Sequence, residues 1–233
     1  MNRAWFVTGT DTGVGKTRVT AGLLHALARH GWRVLGLKPV ASGCRREGGQ
    51  WVNDDALALQ AASSGNPPYS AVNPCALRDP VSPHLAAAAM GWDIDPAALA
   101  DHCRRLAETT NIVVVEGVGG WRVPLTRKQT MADLARALDW PVILVVGIRL
   151  GCINHALLSA EAVRGDGLRL AGWVANHLDP ACLMAEEVVA TLRQRLPAPC
   201  LGVVPHAKKM DAAGLAARLD IRMLLAEYED EQQ

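Results

Sequence analysis

Phenylalanine and tyrosine are nearly missing: one and two copies in 233 residues, against seven tryptophans. The tryptophans therefore read as single anchors of a core, not as an aromatic cluster with a ligand role. Charge of one sign is missing too, since 24 Lys and Arg face 23 Asp and Glu in interleaved order. That excludes the basic field of a nucleic-acid protein and points to small-molecule partners. No apolar run approaches the length that spans a bilayer, and no charged leader with an apolar segment precedes the first strand pattern, so the expectation is a cytoplasmic protein that engages no membrane. The cysteines at 44, 75, 103, 152, 182 and 200 include no C-x-x-C pair and no Cys/His set at zinc spacing, which leaves reduced thiols. The seven histidines are dispersed, and none is given a catalytic role. No repeat of fixed period is present. What remains is a chain 50% hydrophobic, enough for one substantial core, expected as one domain over residues 1–233.

The most informative stretch is Gly9-Thr-Asp-Thr-Gly-Val-Gly-Lys-Thr17. It follows an apolar β-type run, Ala4 to Thr8, and opens an amphipathic helix pattern that runs from about Lys16 to His30 and stops at Gly31. A phosphate loop needs that context, because N–H groups of a glycine-rich turn and a helix N-terminus must converge on an anion. Lys16 then reaches the terminal phosphates of ATP or a related nucleotide, and the Thr17 hydroxyl can hold Mg²⁺. The spacing is a variant: the usual pattern wants glycine at position 10, where Thr10 stands one residue after Gly9.

Further along, apolar strands alternate with helices. Strands are expected at Arg33 to Leu37, Asn111 to Val115, Val142 to Val146, Leu170 to Ala175 and Leu201 to Val204. Helices are expected after Asn53, from Pro96 to about Glu108, near Met131 to Leu138 and from Gly151 on. Prolines at 67, 68, 74, 80 and 83 make Ser64 to Pro83 a long ordered loop or lid. Glu227 to Gln233 reads as a solvated, frayed acidic tail. The fold class is α/β, a mostly parallel central sheet with helices on both faces, of the P-loop NTPase kind.

Strand ends supply the candidate site, because open α/β sheets bind ligands at their carboxyl edge. Lys38 ends the second strand, with Ser42 just beyond; from position alone it is a site residue or a solvated charge. Asp55 is a helix-capping acid or a Mg²⁺ ligand. Glu116, after an apolar strand and before glycines, is a Mg²⁺ ligand or water-positioning group, or else a turn acid. Asn176 ends another strand, where an amide suits a base edge, and Pro205 ends the last.

Taken together, the loop Gly9 to Thr17, Lys38-Pro-Val-Ala-Ser-Gly43, Val115-Glu-Gly-Val-Gly-Gly-Trp121, Leu150-Gly-Cys-Ile-Asn-His155 and Gly172-Trp-Val-Ala-Asn176 closely resemble the dethiobiotin synthetases over nearly the whole chain. The resemblance implies ATP- and Mg²⁺-dependent carboxylation of 7,8-diaminopelargonate with CO₂, through a carbamate and a carbamic-phosphoric anhydride, with no covalent enzyme intermediate. It implies that Lys16 and Lys38 hold the carbamate and the transferring phosphoryl group, and that Thr17, Asp55 and Glu116 order Mg²⁺. Thr12 and Ser42 would bond the diamine and carbamate, Gly13, Val14 and Gly15 would give phosphate N–H groups, and Asn176 would read adenine. A homodimer is implied, with Gly151, Cys152 and Asn154 of the neighbouring subunit on the substrate carboxylate; without the resemblance Asn154 is only a helix-cap candidate. Gly13 stands where some members carry an acid, and the segment Pro205 to Lys209 varies in the family. Two other classes share parts of the pattern: partition-ATPase switches, which lack Lys38 and Ser42 as a set, and cobalamin-type amidotransferase synthetases, which carry a glutaminase domain.

Overall fold

A computed structural model describes residues 3–207 and 210–229. Chain order begins β1 (Arg3–Gly9), α1 (Lys16–Arg29), β2 (Val34–Leu37), β3 (Val40–Ala41), β4 (Arg45–Glu47), β5 (Gln50–Val52), α2 (Asp54–Ala62), α3 (Tyr69–Val72) and β6 (Cys75–Ala76). It continues through α4 (Pro83–Ala89), α5 (Pro96–Ala107), β7 (Ile112–Glu116), α6 (Met131–Leu138), β8 (Val142–Ile148), α7 (Cys152–Gly165) and β9 (Leu170–His177). The last elements are α8 (Ala185–Arg195), β10 (Cys200–Val204), α9 (Ala212–Ala216) and α10 (Arg222–Glu229). Of the expected acidic tail, residues 230–233 and the side chains of 227–229 lie outside the described residues, as do Lys208 and Lys209.

Six strands form one sheet in the order β10-β9-β8-β1-β7-β2, and every pairing in it is parallel. Parallel strands need crossovers, and the helices that make them cover both faces, so β2, β7 and β8 are buried at every residue, while the edge strand β10 is partly exposed. The strand period of two divides the core accordingly. Phe6, Val113, Val115 and Leu144 face one layer, packed with α5, α6, α7 and α8. Trp5, Val7, Val114 and Val145 face the other, packed with α1, α2, α9 and α10. Trp5 and Trp173 are fully buried and Trp121 nearly so, as single core anchors would be, but Trp92 is 47% exposed. The chain leaves β1 toward β2 on one side and later crosses from β7 to β8 on the other. Such a reversal opens a crevice at the carboxyl edge, beside β1.

The expected strands and helices are present, with β8 running on to Ile148 and Glu116 lying within β7. The sequence reading passed over the hairpin of β4 and β5, although its turn, Gly48-Gly49, takes the positive φ values of 57° and 86° that such a pair permits. Helix α8 was likewise not anticipated. The proline-rich stretch is irregular for most of its length but holds α3 and β6, which pairs with β3, and Pro83 begins α4.

Between β9 and β10 the register slips: Cys200 pairs with Trp173 and Gly202 with Val174, leaving Leu201 as the extra residue of a bulge. Leu201 is buried, and its side chain fills the space a Cβ on Gly172 would take, with Cγ, Cδ1 and Cδ2 at 2.6, 2.7 and 2.8 Å from that position. All three branch atoms clash, so relief requires the whole buried Leu201 side chain to turn within a filled core. Gly172→Ala is expected to lower stability by about 1–3 kcal/mol, the cost of overpacking a filled core. Urea unfolding checks it; a midpoint equal to that of the parent would show that the bulge yields freely.

Candidate functional site

The loop after β1 is shaped by three glycines for different reasons. Gly13 and Gly15 take φ of 74° and 87°, a region that L side chains enter only with strain. Gly15 is also crowded, since a Cβ there would lie 2.2 Å from Asn176 Nδ2. A side chain at Gly13 would meet nothing within 4 Å, so a substitution there is opposed by backbone angle and not by space. Gly9 has an ordinary φ, but a Cβ would lie 2.6 Å from Val14 Cγ2 and 3.2 Å from the Asp11 carbonyl oxygen. The loop curls back over position 9, and this is why the glycine stands there and Thr10 is tolerated beside it. The Thr10 N–H donates to the Val145 carbonyl at 3.0 Å, which pins the start of the loop to β8.

Lys16 opens α1, is 6% exposed, and donates from Nζ to the Asp11 carbonyl at 3.0 Å. Burial, and secondarily the positive charge of Lys38, push its pKa from 10.5 down to about 8; Glu116, Asp55 and Asp11 offset only part of this. Neighbouring strands bring the next groups alongside, with Val7 in register with Glu116 and Leu37 in register with Val115. Lys38 is buried, not a solvated charge: its Nζ lies 2.5 Å from Glu116 Oε1, 3.2 Å from the Gly117 carbonyl and 3.3 Å from Asp55 Oδ2. Burial disfavours the ammonium, but Glu116 and Asp55 outweigh it and hold the Lys38 pKa above 10.5. The Thr17 hydroxyl donates to Glu116 Oε1 at 2.8 Å, and Glu116 Oε2 is buried with no hydrogen-bond partner.

Asp55 sits in the first turn of α2, which Asn53 caps by accepting from the N–H groups of Asp55 and Ala56 at 3.0 and 3.3 Å. Asn53, not Asp55, is therefore the cap, and the Asp55 carboxylate turns to Lys38. Among the described residues no group of three His, Cys, Asp or Glu could hold a metal by itself. Two carboxylates, one of them with a buried oxygen that has no partner, and a hydroxyl are nonetheless the hard donors that suit Mg²⁺, which takes its remaining ligands from phosphates and water.

Toward the other end of the edge, Asn176 is buried and its Nδ2 donates to the Val14 carbonyl at 2.8 Å. A carbonyl only accepts, so this contact fixes the amide's orientation and leaves Oδ1 as an acceptor. Pro205 follows β10 and lines a cavity of about 380 Å³ with His177, Asp179 and His206. Thr12 is exposed beside Gly119, and Ser42 is half-buried with its carbonyl accepting from Asn53 Nδ2 at 3.3 Å. Thr12, Gly120, Trp121, Val123 and Leu158 line a cavity of about 430 Å³ next to the loop. Gly151, at φ 89°, precedes α7; Cys152 is buried and Asn154 exposed at the first turn.

Sequence reasoning passed over Asp11 and Arg149, whose guanidinium lies 2.6 Å from the Asp11 carboxylate and ties the phosphate loop to the α7 N-terminus. The Thr12 N–H, then Arg149, hold the Asp11 carboxyl below its ordinary range. It also passed over Asn73 and Tyr69, which brace Lys38 and Asn53. Asp11 could have been noticed as the one charged residue of the loop before Lys16, whereas Arg149 and Asn73 carry no local signal.

The sheet order and the loop define a P-loop NTPase-type nucleotide-binding protein. The family model described as an AAA domain matches residues 3–214. Solved structures of the same fold include the septum site-determining protein MinD complexed with Mg-ADP from Pyrococcus horikoshii OT3, at TM-score 0.58 and 16% identity over 96% of this chain and 89% of that one. A ParA family ATPase from Chlorobium tepidum TLS matches at TM-score 0.56 and 12% identity, over 97% and 94%. Identities so low establish the fold alone.

Closer kinship is in sequence. The ATP-dependent dethiobiotin synthetases BioD of Aromatoleum aromaticum and Pseudomonas aeruginosa are each 54% identical to this chain, over 93% and 95% of it and over 96% and 97% of their own lengths. That of Cellvibrio japonicus is 52% identical over 96% and 98%. The chain belongs to the dethiobiotin synthetase family, ATP-dependent ligases that form C–N bonds.

The Lys16 shift gives a pH prediction. Below about pH 8 the folded and unfolded chains both hold the proton, and the folded state carries the cost of the buried charge. Between about 8 and 10.5 only the unfolded chain binds it, so stability rises with pH through that window. The shift corresponds to about 3 kcal/mol, from which a lost hydrogen bond of about 1 kcal/mol is subtracted. Nucleotide-free Lys16→Met protein is thus expected to be more stable than the parent at pH 7 by about 2 kcal/mol, and to lose that advantage by pH 10. Urea unfolding of both proteins across pH 7 to 10 measures the difference; a gap that does not narrow would reject the strained charge.

Proposed function

We propose that residues 1–233 act as one synthetase domain that closes the ureido ring of dethiobiotin along this carboxyl edge. The observation that carries the reading is the gathering of Lys16, Lys38, Thr17, Asp55 and Glu116 around one phosphate loop, with Lys38 buried and charged. One amine of 7,8-diaminopelargonate adds to CO₂ and loses a proton, giving a carbamate. A carbamate oxygen attacks the γ-phosphorus and releases ADP, leaving a carbamic-phosphoric anhydride. The second amine attacks the carbonyl carbon, expels phosphate and closes the ring. No step needs a nucleophile from the protein.

Each step moves negative charge, and the two lysines answer it. Loop N–H groups of Gly13, Val14 and Gly15 receive the phosphates, whose charge offsets the cost of the buried Lys16 ammonium as they arrive. Lys38 stays protonated and holds the carbamate against the transferring phosphoryl group. Thr12 and Ser42 bond the diamine and carbamate. Asn176 offers Oδ1 to the exocyclic amine of adenine, with Pro205 beside the base. Thr17, Asp55 and Glu116 would hold Mg²⁺, for which the unpartnered Glu116 Oε2 is the supporting observation. When bound, the ion would neutralise part of the triphosphate charge. The cavity beside the loop, walled by Trp121, Val123 and Leu158, suits the aliphatic chain of the substrate.

The substrate carboxylate goes to a second copy of the chain, at Gly151, Cys152 and Asn154, where a helix N-terminus presents N–H groups. Leu150 is fully exposed and Leu158 is 55% exposed on the same helix region, apolar surface that a homodimer would cover. Among the described residues no helix is long and apolar enough to cross a membrane, and the cytoplasmic location remains part of this reading.

Incubation with ATP, Mg²⁺, bicarbonate and the diamine is expected to yield dethiobiotin, ADP and phosphate by mass spectrometry. Absence of dethiobiotin while ATP is hydrolysed would overturn the reading. The shared site has its own test. Lys38→Ala and Asn154→Ala proteins are each expected to be nearly inactive, and mixing them with subunit exchange puts both defects in one site and none in the other. Random exchange should restore about a quarter of parental activity. No recovery, with exchange seen by native mass spectrometry, would place both residues in one subunit's site.

A further inference from the structure

The Lys38 ammonium is clamped by Glu116, Asp55 and the Gly117 carbonyl, yet a side chain holds its place only if its backbone does. Segment 69–73 supplies that hold. The Lys38 N–H donates to the Val72 carbonyl at 2.9 Å, and the Lys38 carbonyl accepts from Asn73 Nδ2 at 2.6 Å. Asn73 is 3% exposed, and its Oδ1 accepts from the Tyr69 hydroxyl at 2.9 Å. The Tyr69 oxygen in turn accepts from the Asn53 N–H at 2.8 Å, and Asn53 caps the helix turn that carries Asp55. Asp55 returns to Lys38 at 3.3 Å. The bonds close a circuit: Lys38, Asn73, Tyr69, Asn53, Asp55 and Lys38 again.

Every link has one workable polarity. The Asn73 amide must direct Nδ2 to the Lys38 carbonyl, which only accepts, so Oδ1 faces Tyr69. The Tyr69 hydroxyl must then donate to Asn73 while accepting from the Asn53 N–H. Burial raises the Tyr69 pKa to about 12, so the hydroxyl keeps its proton at any working pH. A stretch that its prolines mark as a loop or lid is, at residues 69–73, a brace.

We infer that Tyr69 and Asn73 are positioning residues for the ligation: they fix the end of β2 against the start of α2, and so the Lys38 ammonium against the Asp55 carboxylate. Neither touches the reacting atoms. The inference rests on the proposed role of Lys38 at the reacting groups. It predicts that loosening the brace harms the chemical step and spares nucleotide binding measured without Mg²⁺, because the phosphate loop lies outside the circuit, whereas Asp55, a proposed Mg²⁺ ligand, lies within it.

Tyr69→Phe tests it, since it removes one oxygen from the middle of the circuit and keeps the ring. The expected result is a kcat roughly 10-fold lower, because a small misplacement of a charged group is enough to slow an oriented reaction. Affinity for an ATP analogue without Mg²⁺, from calorimetry, should stay within about twofold, and the number of its sites per chain should equal that of the parent. An unchanged kcat would overturn the inference, as would a loss of kcat matched by an equal loss of nucleotide sites, which marks mere unfolding. Lys38→Met, assayed alongside, separates the two readings. If it retains parental kcat, the proposed role of Lys38 fails; if it is inactive while Tyr69→Phe is unimpaired, only the brace fails.

Discussion

The buried contact between Lys38 and Glu116 is the constraint on which the arrangement of the site depends. Taking both charges out of water costs several kcal/mol per ion, and only close geometry with further hydrogen bonds offsets it. The protein meets that condition by placing the two residues at the ends of adjacent strands, β2 and β7, and by adding the Gly117 carbonyl, the Thr17 hydroxyl and Asp55. Removing Lys38 would leave the Glu116 carboxylate in the core with only the Thr17 hydroxyl on it, and removing Glu116 would leave Lys38 with Asp55 and the Gly117 carbonyl. The contact also joins the two parts of the site, because Thr17 belongs to the phosphate loop and Asp55 to the helix after the hairpin.

The rest of the edge follows from sheet geometry. Parallel strands about 4.8 Å apart deliver Asn176, the loop, Glu116 and Lys38 in the spatial order β9, β1, β7, β2, with β8 between the first two. On the proposed reading, a nucleotide laid along this edge meets an amide at its base end and cations at its terminal phosphate. Helix α1 begins at the centre of that line, where Gly15 lets the loop pass against Asn176. A residue larger than glycine there would push the loop away from Asn176.

Much of this was legible in the sequence because it is local. Strand periodicity and β-branched runs marked β7, and the glycines after Glu116 marked a carboxylate at a strand end. Lys38 was visible as a strand-terminal lysine, but whether it was a solvated charge could not be decided locally: the residue that neutralises it is 78 positions away and becomes a neighbour only through the crossover. The same limit hid the brace. Asn73 precedes a proline in a stretch whose local signals all read as loop, and its partner Lys38 is 35 residues off. Arg149 stood unnoticed inside an apolar strand end, and Asp11, which it meets, is 138 residues away. A polar residue at a strand end was readable; the partners that the order of strands brings to it were not.

The two lysines show how one fold makes different groups from the same side chain. Lys16 is buried with carboxylates too distant to compensate it and with Lys38 nearby, so its charge is held at a cost that an arriving phosphate offsets. Lys38 is buried against Glu116 and Asp55, so its charge is already satisfied and its pKa is raised. On the proposed reading, the first lysine converts strain into phosphate affinity, while the second remains charged whether or not substrate is present. The second is then useful to a carbamate only if its carboxylate partners take up another cation and release part of the ammonium's hydrogen bonding. That exchange requires Asp55 and Glu116 to stay in place while their partner changes, and a backbone brace behind Lys38 secures the lysine's own position through the change.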